Sequence, residues 1–313
     1  MHGHDLEAGT AENYRAFAED ARGRSRVYVS LAEWVADDPD VLGFLDSLPQ
    51  EKRQPNLLFA AARYVAGGAT DASELRAAID HQAAALRAVM LTRRTQTNEP
   101  ARCATLLPAL AQLPQPLALI EVGASAGLTL LVDHYSYDYA GRRVAGRDPQ
   151  APVLCCEPRG PVPVPDRMPT IAWRAGLDLN PLDVRNDDDV RWLSCLVWPG
   201  ESDRQDRLTA AIATARRNPA IVHRGDLRTD LPRLAEQAPR DATLVVYHSA
   251  VLAYLTPADR EHFAATVRGL DAVWLSNEGP GVVPGVPSPP YSGAPFVLAR
   301  DGRELLARTD PHG

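Results

Sequence analysis

The sequence predicts an α/β protein in which a helical N-terminal region precedes a doubly wound, mainly parallel sheet. Short, wholly apolar runs recur after residue 113, and helical patterns separate most of them. Such runs fit strands that are buried on both faces, and their alternation with helices is typical of doubly wound sheets. Residues 1–113 show helical periodicity without a strand pattern. We therefore expect two regions, residues 1–113 and 114–313.

The N-terminal region is predicted to be helical and to lie over a ligand crevice as a lid. Apolar side chains from Phe17 to Val35 recur at three-, four- and seven-residue steps, which indicates one face of a helix. Asp38-Pro39 is typical of a helix start, with Asp as the cap and Pro in the first turn. A longer amphipathic helix is predicted from Leu75 to Met90.

The second region contains the predicted strands, at Leu117–Ile120, Ile171–Leu179, Ile221–His223, Thr243–Tyr247 and Ala272–Leu275. An insertion at about residues 129–169, with a polar and aromatic hairpin and a further short strand, separates the first two. The Pro-rich segment 279–295 is predicted to be a loop, because Pro breaks helices. A closing antiparallel hairpin is predicted from Phe296 to Ala307, with its turn at Asp301-Gly302.

The composition and charge of the chain argue against several classes of function. The formal net charge is −7 and no Lys/Arg-rich block is present, so we expect no nucleic-acid partner. No apolar stretch approaches the length of about 20 residues that spans a bilayer. The N-terminus lacks a signal-peptide pattern, and we expect a cytoplasmic protein with a small-molecule substrate. The four cysteines form no Cys-x-x-Cys pair, and we expect no metal site.

A loop of small residues ends the first predicted strand and contains Glu121, Gly123, Ala124, Ser125 and Gly127. The two glycines can adopt positive φ and leave room that a Cβ would fill, so the backbone can approach a ligand closely. The Gly-x-Gly-x-x-Gly spacing of dinucleotide-binding proteins is absent. Glu121 would repel a pyrophosphate but would attract a cationic sulfonium. The alternative is a tight turn that only packs a helix on the sheet.

Polar residues also end the other predicted strands. Asp178, followed by Leu179, is placed to accept hydrogen bonds from ribose hydroxyls; the alternative is that it caps the next helix. The carboxyl ends of parallel strands face the ligand crevice, so His248 and Glu278 are candidates for a general base or for substrate orientation. Asn277 is a candidate for substrate or cofactor contact. The alternative for His248 is a packed, hydrogen-bonded histidine near a bound adenosine.

Two segments of the chain, the glycine loop and a second one at Gly225-Asp226, resemble motifs of class I S-adenosylmethionine (AdoMet) methyltransferases. The loop from Glu121 to Gly127 resembles their motif I, Asp/Glu-x-Gly-x-Gly-x-Gly, with Ser125 in place of the middle glycine. Gly225-Asp226, with Leu-Pro following after Asp230, resembles their third-strand motif. This resemblance implies that Asp226, or the next backbone amide at Leu227, holds the amino edge of the adenine.

The segments KRQPNLL, RRTQTNE, LIEVGASAGL, AGLDLNPLDV, LVWP, HRGDL, HSAVLAYL and WLSNEGPG resemble, in consistent order over nearly the whole chain, the bacterial family called domain of unknown function 2332. The sheet region of that family looks like the Rossmann-like methyltransferase superfamily. In such a fold the segment before the first strand often passes over the methionine end of AdoMet, so Gln96 and Asn98 are expected to contact the cofactor or substrate. The alternative for Asn98 is a cap on the following helix.

The resemblance implies an AdoMet-dependent methyltransferase that acts on an oxygen or nitrogen atom of a small molecule. His248 or Glu278 would then take the proton of the acceptor. The alternative is an AdoMet-fold binding or regulatory protein without methyl transfer, which the Ser125 replacement and the absence of an Asn/Asp-Pro-Pro-Tyr motif at the fourth strand leave open. A nucleotide-dependent oxidoreductase is disfavoured by Glu121 and by the glycine spacing.

Overall fold

The computed structural model describes residues 9–287 and 296–313, which fall into two compact units. The first, called the helical unit below, comprises residues 9–97 and 186–206. The second, called the sheet unit, comprises residues 98–185, 207–287 and 296–313. Across these described ranges, no helix is both long and apolar enough to cross a membrane.

Helices and strands follow one another largely as predicted. The helices are α1 (Thr10–Ala21), α2 (Arg26–Asp37), α3 (Pro39–Asp46), α4 (Pro55–Ala66), α5 (Ala72–Thr92), α6 (Arg102–Ala111), α7 (Asp187–Leu196), α8 (Ser202–Arg217), α9 (Leu231–Ala235) and α10 (Pro257–Arg268). The strands are β1 (Leu117–Val122), β2 (Ser136–Tyr139), β3 (Arg142–Val144), β4 (Val153–Cys156), β5 (Ile171–Asp178), β6 (Ile221–Arg224), β7 (Thr243–Ser249), β8 (Val273–Glu278), β9 (Phe296–Arg300) and β10 (Glu304–Thr309). The described residues before β1 contain no strand.

Local sequence accounts for helix boundaries in the helical unit. The side chain of Asp38 caps α3, because it accepts hydrogen bonds from the backbone amides of Asp40 (3.1 Å) and Val41 (3.2 Å). The single helix predicted from Phe17 to Val35 is instead two helices. Gly23 adopts a left-handed conformation, with φ of 79°, and interrupts the helical path between α1 and α2.

The main sheet of the sheet unit has seven strands in the order β10-β9-β8-β7-β1-β5-β6. Five of these strands, β8, β7, β1, β5 and β6, run parallel to one another. This confirms a mixed α/β protein with a mostly parallel sheet. β9 is antiparallel to β8, and β10 is antiparallel to β9. All five predicted parallel strands are present.

The predicted closing hairpin is confirmed at β9 and β10. In its turn, Asp301 (φ 54°) and Gly302 (φ 62°) are both left-handed, as in type I′ turns. Of the loop predicted at residues 279–295, residues 279–287 form no helix. Residues 288–295 lie outside the described residues.

Between β1 and β5 the chain forms a second, three-stranded sheet in the order β3-β2-β4. It lies within the predicted insertion. A buried ion pair joins this insertion to β5: the guanidinium of Arg174 donates to both carboxylate oxygens of Asp133, at 2.7 and 3.0 Å. The chain enters the insertion through a 3-10 turn at Leu128–Leu131. No α-helix directly follows the glycine loop.

Candidate functional site

The order of the parallel strands defines one place where a ligand crevice is expected. Numbered by their appearance along the chain, these five strands stand in the order 3-2-1-4-5, with β1 at the centre. The chain first builds the sheet outward from β1 to β5 and β6, and then returns to the other side of β1 with β7. Ligands of open α/β sheets bind outside the carboxyl ends of the strands at such a switch point. The glycine loop after β1 lies at this point.

The glycine loop has an irregular backbone that only small residues adopt readily. Gly123, Ser125 and Gly127 all have positive φ, of 70°, 52° and 71°. The amide of Gly123 donates to the carbonyl of Leu177 in β5 at 2.8 Å, and the amide of Gly127 donates to the carbonyl of Ala124 at 2.7 Å. The loop is therefore tied both to itself and to the neighbouring strand.

The space beside Gly123 is occupied by protein. A Cβ at Gly123 would overlap the side chain of Val251, which follows β7, and a Cβ at Gly127 would come within 3.0 Å of Val222 in β6. From the sequence alone, this room is expected to hold a ligand. In the structure, the missing Cβ atoms let the loop pack against the segment after β7 and against β6, as the alternative of a tight turn that only packs the fold expects.

Asp178, at the carboxyl end of β5, holds the glycine loop. Its carboxylate accepts hydrogen bonds from the backbone amides of Ser125 (2.8 Å) and Asn180 (2.7 Å), and the residue is 8 % exposed. Asp178 does not cap the following helix, since α7 begins with Asn186 as its cap. Leu179 is half exposed beside it. The predicted ribose contact at Asp178 stays a prediction.

Asp226, after β6, is paired with a neighbouring arginine. The Nε of Arg228 donates to both carboxylate oxygens at 3.0 Å, and the backbone amide of Arg228 donates at 2.9 Å. The hydrogen bonds from Arg228, together with its charge, hold the pKa of Asp226 below its ordinary value. Leu227 is buried. Arg228 would have to move for the Asp226 carboxylate to receive an adenine amino group.

His248 and Glu278 lie in the apolar core between the sheet and α10, and the structure does not support their predicted catalytic roles. His248 is fully buried, and its ring packs against Phe263. The indole Nε1 of Trp274 donates to His248 Nε2 at 2.9 Å, so that nitrogen carries no proton. The proton is on Nδ1, which donates to Glu278 Oε1 at 2.7 Å. Both ring nitrogens are thus already used by protein groups.

Glu278 positions the segment that follows β7. Its Oε1 also accepts hydrogen bonds from the backbone amides of Val251 (2.8 Å) and Leu252 (3.1 Å). Val251 is the residue that packs against Gly123. Glu278 therefore links the buried histidine to the segment that packs against the glycine loop. Its Oε2 is buried without a hydrogen-bond partner, and the residue borders a cavity of about 10 Å³, the size of one water molecule.

The remaining predicted contact residues lie in different places. Asn277 is fully buried; its amide nitrogen donates to Ser249 Oγ (3.1 Å), and its carbonyl oxygen accepts from Thr309 (2.6 Å). Asn98 does not cap α6, which lacks a side-chain cap. Instead, its Oδ1 accepts from the amide of Leu128 at 2.8 Å, at the start of the 3-10 turn after the glycine loop. Gln96 belongs to the helical unit.

Glu121 has an environment that the sequence did not reveal. It is 5 % exposed, and its Oε1 is hydrogen-bonded to the hydroxyl of Thr129. The buried hydroxyl of Tyr247, the residue opposite Glu121 in the β1–β7 register, also hydrogen-bonds to this carboxyl group. Burial raises the pKa of Glu121 from its ordinary value of 4.5 to about 8, although Thr129 and Arg102 act to lower it. Pairing of the two predicted strands could have placed Tyr247 beside Glu121. The burial of Glu121 could not have been predicted in this way.

The raised pKa of Glu121 predicts that the protein loses stability as the pH rises. The folded protein binds a proton at Glu121 that the unfolded chain releases near pH 4.5, so stability is lost progressively between pH 4.5 and about 8. We expect a loss of roughly 2 kcal/mol between pH 6 and 8 from this group, at about 1.4 kcal/mol per pH unit. Glu121→Gln should remove this component. Urea unfolding of both proteins at several pH values measures it; equal pH slopes would contradict it.

A second cavity lies away from the switch point. It has a volume of about 540 Å³, is wide open, and is lined by polar residues of the insertion and of the end of α8, among them His134, Arg147, Asp148 and Arg217. Asp148 accepts from Arg217 at 2.9 Å, so the main charges are already paired. In the described residues, no group of three or more His, Cys, Asp or Glu side chains is arranged to hold a metal ion.

Comparison with known proteins yields a family match over almost the whole chain. The model of the family described as "Uncharacterized protein conserved in bacteria (DUF2332)" matches residues 11–313. No curated protein matches the chain. The family description assigns no activity.

Proposed function

Since the chain belongs to the DUF2332 family, which carries no assigned activity, we propose from its site that it binds AdoMet and transfers the methyl group to an oxygen or nitrogen atom of a small molecule. The methyltransferase-like fold and the use of AdoMet are both part of this proposal. The observation that carries it is the desolvated carboxyl group of Glu121, at the end of the central strand and beside the left-handed glycine loop.

The surroundings of the loop favour a cationic over an anionic ligand. A pyrophosphate is usually held by free backbone amides at a helix N-terminus. Here the loop leads into a 3-10 turn, and Asn98 already accepts the hydrogen bond of the Leu128 amide. A buried acid, Glu121, lies at the strand end. This combination supports AdoMet, whose sulfonium is positive, over a dinucleotide.

The proposed chemistry relies mainly on alignment. AdoMet supplies a methyl group on a positively charged sulfur, and an acceptor atom held in line with it needs little further activation. His248 cannot take the acceptor proton in this arrangement, because its Nε2 accepts from Trp274 and its Nδ1 donates to Glu278. The proton is therefore expected to leave to water or to a group on the acceptor itself.

An AdoMet-binding or regulatory protein without methyl transfer is the second candidate. The burial of both predicted catalytic side chains, His248 and Glu278, favours it. The two candidates share the cofactor site and differ in turnover. Conversion of bound AdoMet to S-adenosylhomocysteine in the presence of candidate acceptors would separate them.

The cofactor site is tested by calorimetry with AdoMet and with oxidised and reduced nicotinamide cofactors. We expect AdoMet to bind, and Asp178→Ala to weaken its binding by on the order of tenfold or more, because charge-assisted hydrogen bonds contribute about 1.5–3 kcal/mol. Asp148→Ala is a matched control, since Asp148 also accepts from the amide two residues later (2.8 Å) but lies at the other cavity.

Circular dichroism would show that both variants are folded. Binding of a nicotinamide cofactor in place of AdoMet would contradict the proposal. An unchanged AdoMet affinity in folded Asp178→Ala would exclude the ribose role of Asp178 while leaving the cofactor assignment intact.

A further inference from the structure

The open cavity of about 540 Å³ beside the insertion lies at a different edge of the main sheet from the glycine loop. Arg217 and Asn218, at the end of α8, form part of its lining, and β6 begins shortly afterwards at Ile221. The cavity is therefore near the amino end of β6, whereas the glycine loop follows the carboxyl end of β1, and these strands run in the same direction. A ligand in this cavity would occupy a site separate from the proposed AdoMet site.

The lining of this cavity is almost entirely polar or charged. Apart from Pro149, it consists of His134, Arg147, Asp148, Gln150, Arg217 and Asn218. Pockets for apolar ligands are lined mainly by hydrophobic and aromatic side chains. The lining therefore suits a small polar ligand, and the charges around the cavity decide which sign of charge that ligand carries.

Among the described residues, Asp148 is the only acidic side chain that lines the cavity, and protein groups already compensate it. Its Oδ2 accepts from Arg217 Nη2 (2.9 Å) and from Asn218 Nδ2 (3.1 Å). Its Oδ1 accepts from the backbone amide of Gln150 (2.8 Å). The hydrogen bonds from Arg217 and from this amide hold the pKa of Asp148 below its ordinary value of 3.8. The Asp148–Arg217 pair therefore leaves no net charge at neutral pH.

Arg147 is a surplus cation at this cavity. Its side chain is 61 % exposed, and its Nη1 contacts Asp133 Oδ2 at 3.4 Å. That carboxylate is already compensated by Arg174, which donates to both of its oxygens at 2.7 and 3.0 Å. Burial lowers the pKa of His134 below its ordinary value of 6.5, so its imidazole adds little charge at neutral pH. One positive charge therefore remains among these described groups, although the whole chain has a net charge of −7.

The backbone fixes the position from which the Arg147 side chain extends. The amide of Arg147 donates to the carbonyl of Asp133 (2.9 Å), and the amide of Asp148 donates to the carbonyl of His134 (3.3 Å). A guanidinium presents five donors in a planar fork that matches the oxygens of a carboxylate or a phosphate. Its single long contact with Asp133 leaves most of the Arg147 fork available to a ligand.

We propose that this cavity binds the phosphate or carboxylate group of a small polar ligand, with Arg147 as the main contact and Arg217, held by Asp148, as the second. The carbonyl end of α8 opposes an anion with about half an elementary charge, which is less than the surplus positive charge. The site does not depend on the proposed AdoMet site, and the presence or absence of AdoMet binding does not decide it.

The experiment is isothermal titration calorimetry of the full chain at neutral pH with inorganic phosphate, with citrate and with neutral glycerol, all at the same ionic strength. We expect saturable binding of phosphate or citrate, with a dissociation constant in the millimolar range or lower, and no binding of glycerol. The anion that binds more tightly identifies the class of ligand, phosphate or carboxylate.

Arg147→Gln should weaken the binding of that anion by about tenfold or more, because a charge-assisted hydrogen bond is lost. Arg142→Gln is the matched control and should bind as wild type does. Arg142 also lies in the insertion, its side chain is 52 % exposed, and it pairs with Asp166 at 2.8 Å without lining the cavity. Both variants make the same change of charge, so general attraction to the protein surface would affect them equally.

Equal affinities of the two variants would overturn the proposal, because Arg147 would then make no specific contact. A wild-type protein that binds neither phosphate nor citrate saturably would overturn it as well. Circular dichroism shows whether the variants are folded. The wild-type titration needs no variant, so the proposal can be refuted even if Arg147→Gln does not fold.

Discussion

Replacing Asp133 by alanine is expected to lower the free energy of unfolding by about 3–5 kcal/mol. Asp133 is fully buried, and its two oxygens accept from Arg174 in β5 at 2.7 and 3.0 Å. Arg174 also donates to the carbonyl of Leu130 at 2.7 Å. Removing the carboxylate would leave a largely buried guanidinium without its counter-charge, which is far more costly than losing an exposed pair.

Urea unfolding measures this effect, and Asp166→Ala is its control. Asp166 also lies in the insertion and pairs with Arg142 at 2.8 Å, but its side chain is 92 % exposed. We expect Asp166→Ala to change stability by less than about 1 kcal/mol. Equal, small effects of the two variants would show that the Asp133–Arg174 pair does not hold the insertion on the sheet.

His248→Ala is expected to destabilise the protein by about 3–5 kcal/mol, as for other large buried side chains. The change would leave a cavity against Phe263. It would also remove the acceptor of the Trp274 indole and a donor to Glu278 Oε1, and both of these residues are buried. Buried groups that lose their partners add to the cost of the cavity.

Thermal and urea unfolding of His248→Ala test this structural role, with His262→Ala as the control. His262 lies one residue before Phe263 and is exposed, so its replacement should stay within about 0.5 kcal/mol of wild type. If His248 were instead a general base, its replacement would lower turnover and leave the stability of the fold largely unchanged. Wild-type stability of His248→Ala, together with a loss of methyl transfer of about a hundredfold, would restore the catalytic role.

The positions of Glu121 and Asp178 at strand ends can be predicted from the sequence, because both residues end apolar runs. Strand ends converge at one edge of a parallel sheet. Their hydrogen bonds were not predictable. Asp178 accepts from Ser125, 53 residues earlier in the chain, and Asn98 accepts from Leu128 instead of capping the helix beside it. These contacts depend on how distant segments meet.

His248 shows that a catalytic role, too, cannot be predicted from the position of a residue in the sequence. Its position after an apolar run is the position of a catalytic residue in many α/β enzymes, and the residue type gives no sign of burial. Whether its ring faces a crevice or the core depends on Trp274 and Glu278, which lie 26 and 30 residues later. Only the paired strands bring these side chains together and decide which nitrogen carries the proton.

The sequence by itself determined the α/β class, the five parallel strands, the helical character of residues 9–113 and the Asp301-Gly302 turn of the closing hairpin. These features follow from local properties, namely apolar periodicity, capping residues and the φ angles that small residues allow. The tertiary structure alone decided that the glycine loop packs on Val251, that His248 is a core residue and that Glu121 is buried at the end of the central strand. Burial and long-range pairing set these outcomes, because desolvation and hydrogen bonding depend on neighbours that are close in space and distant in the chain.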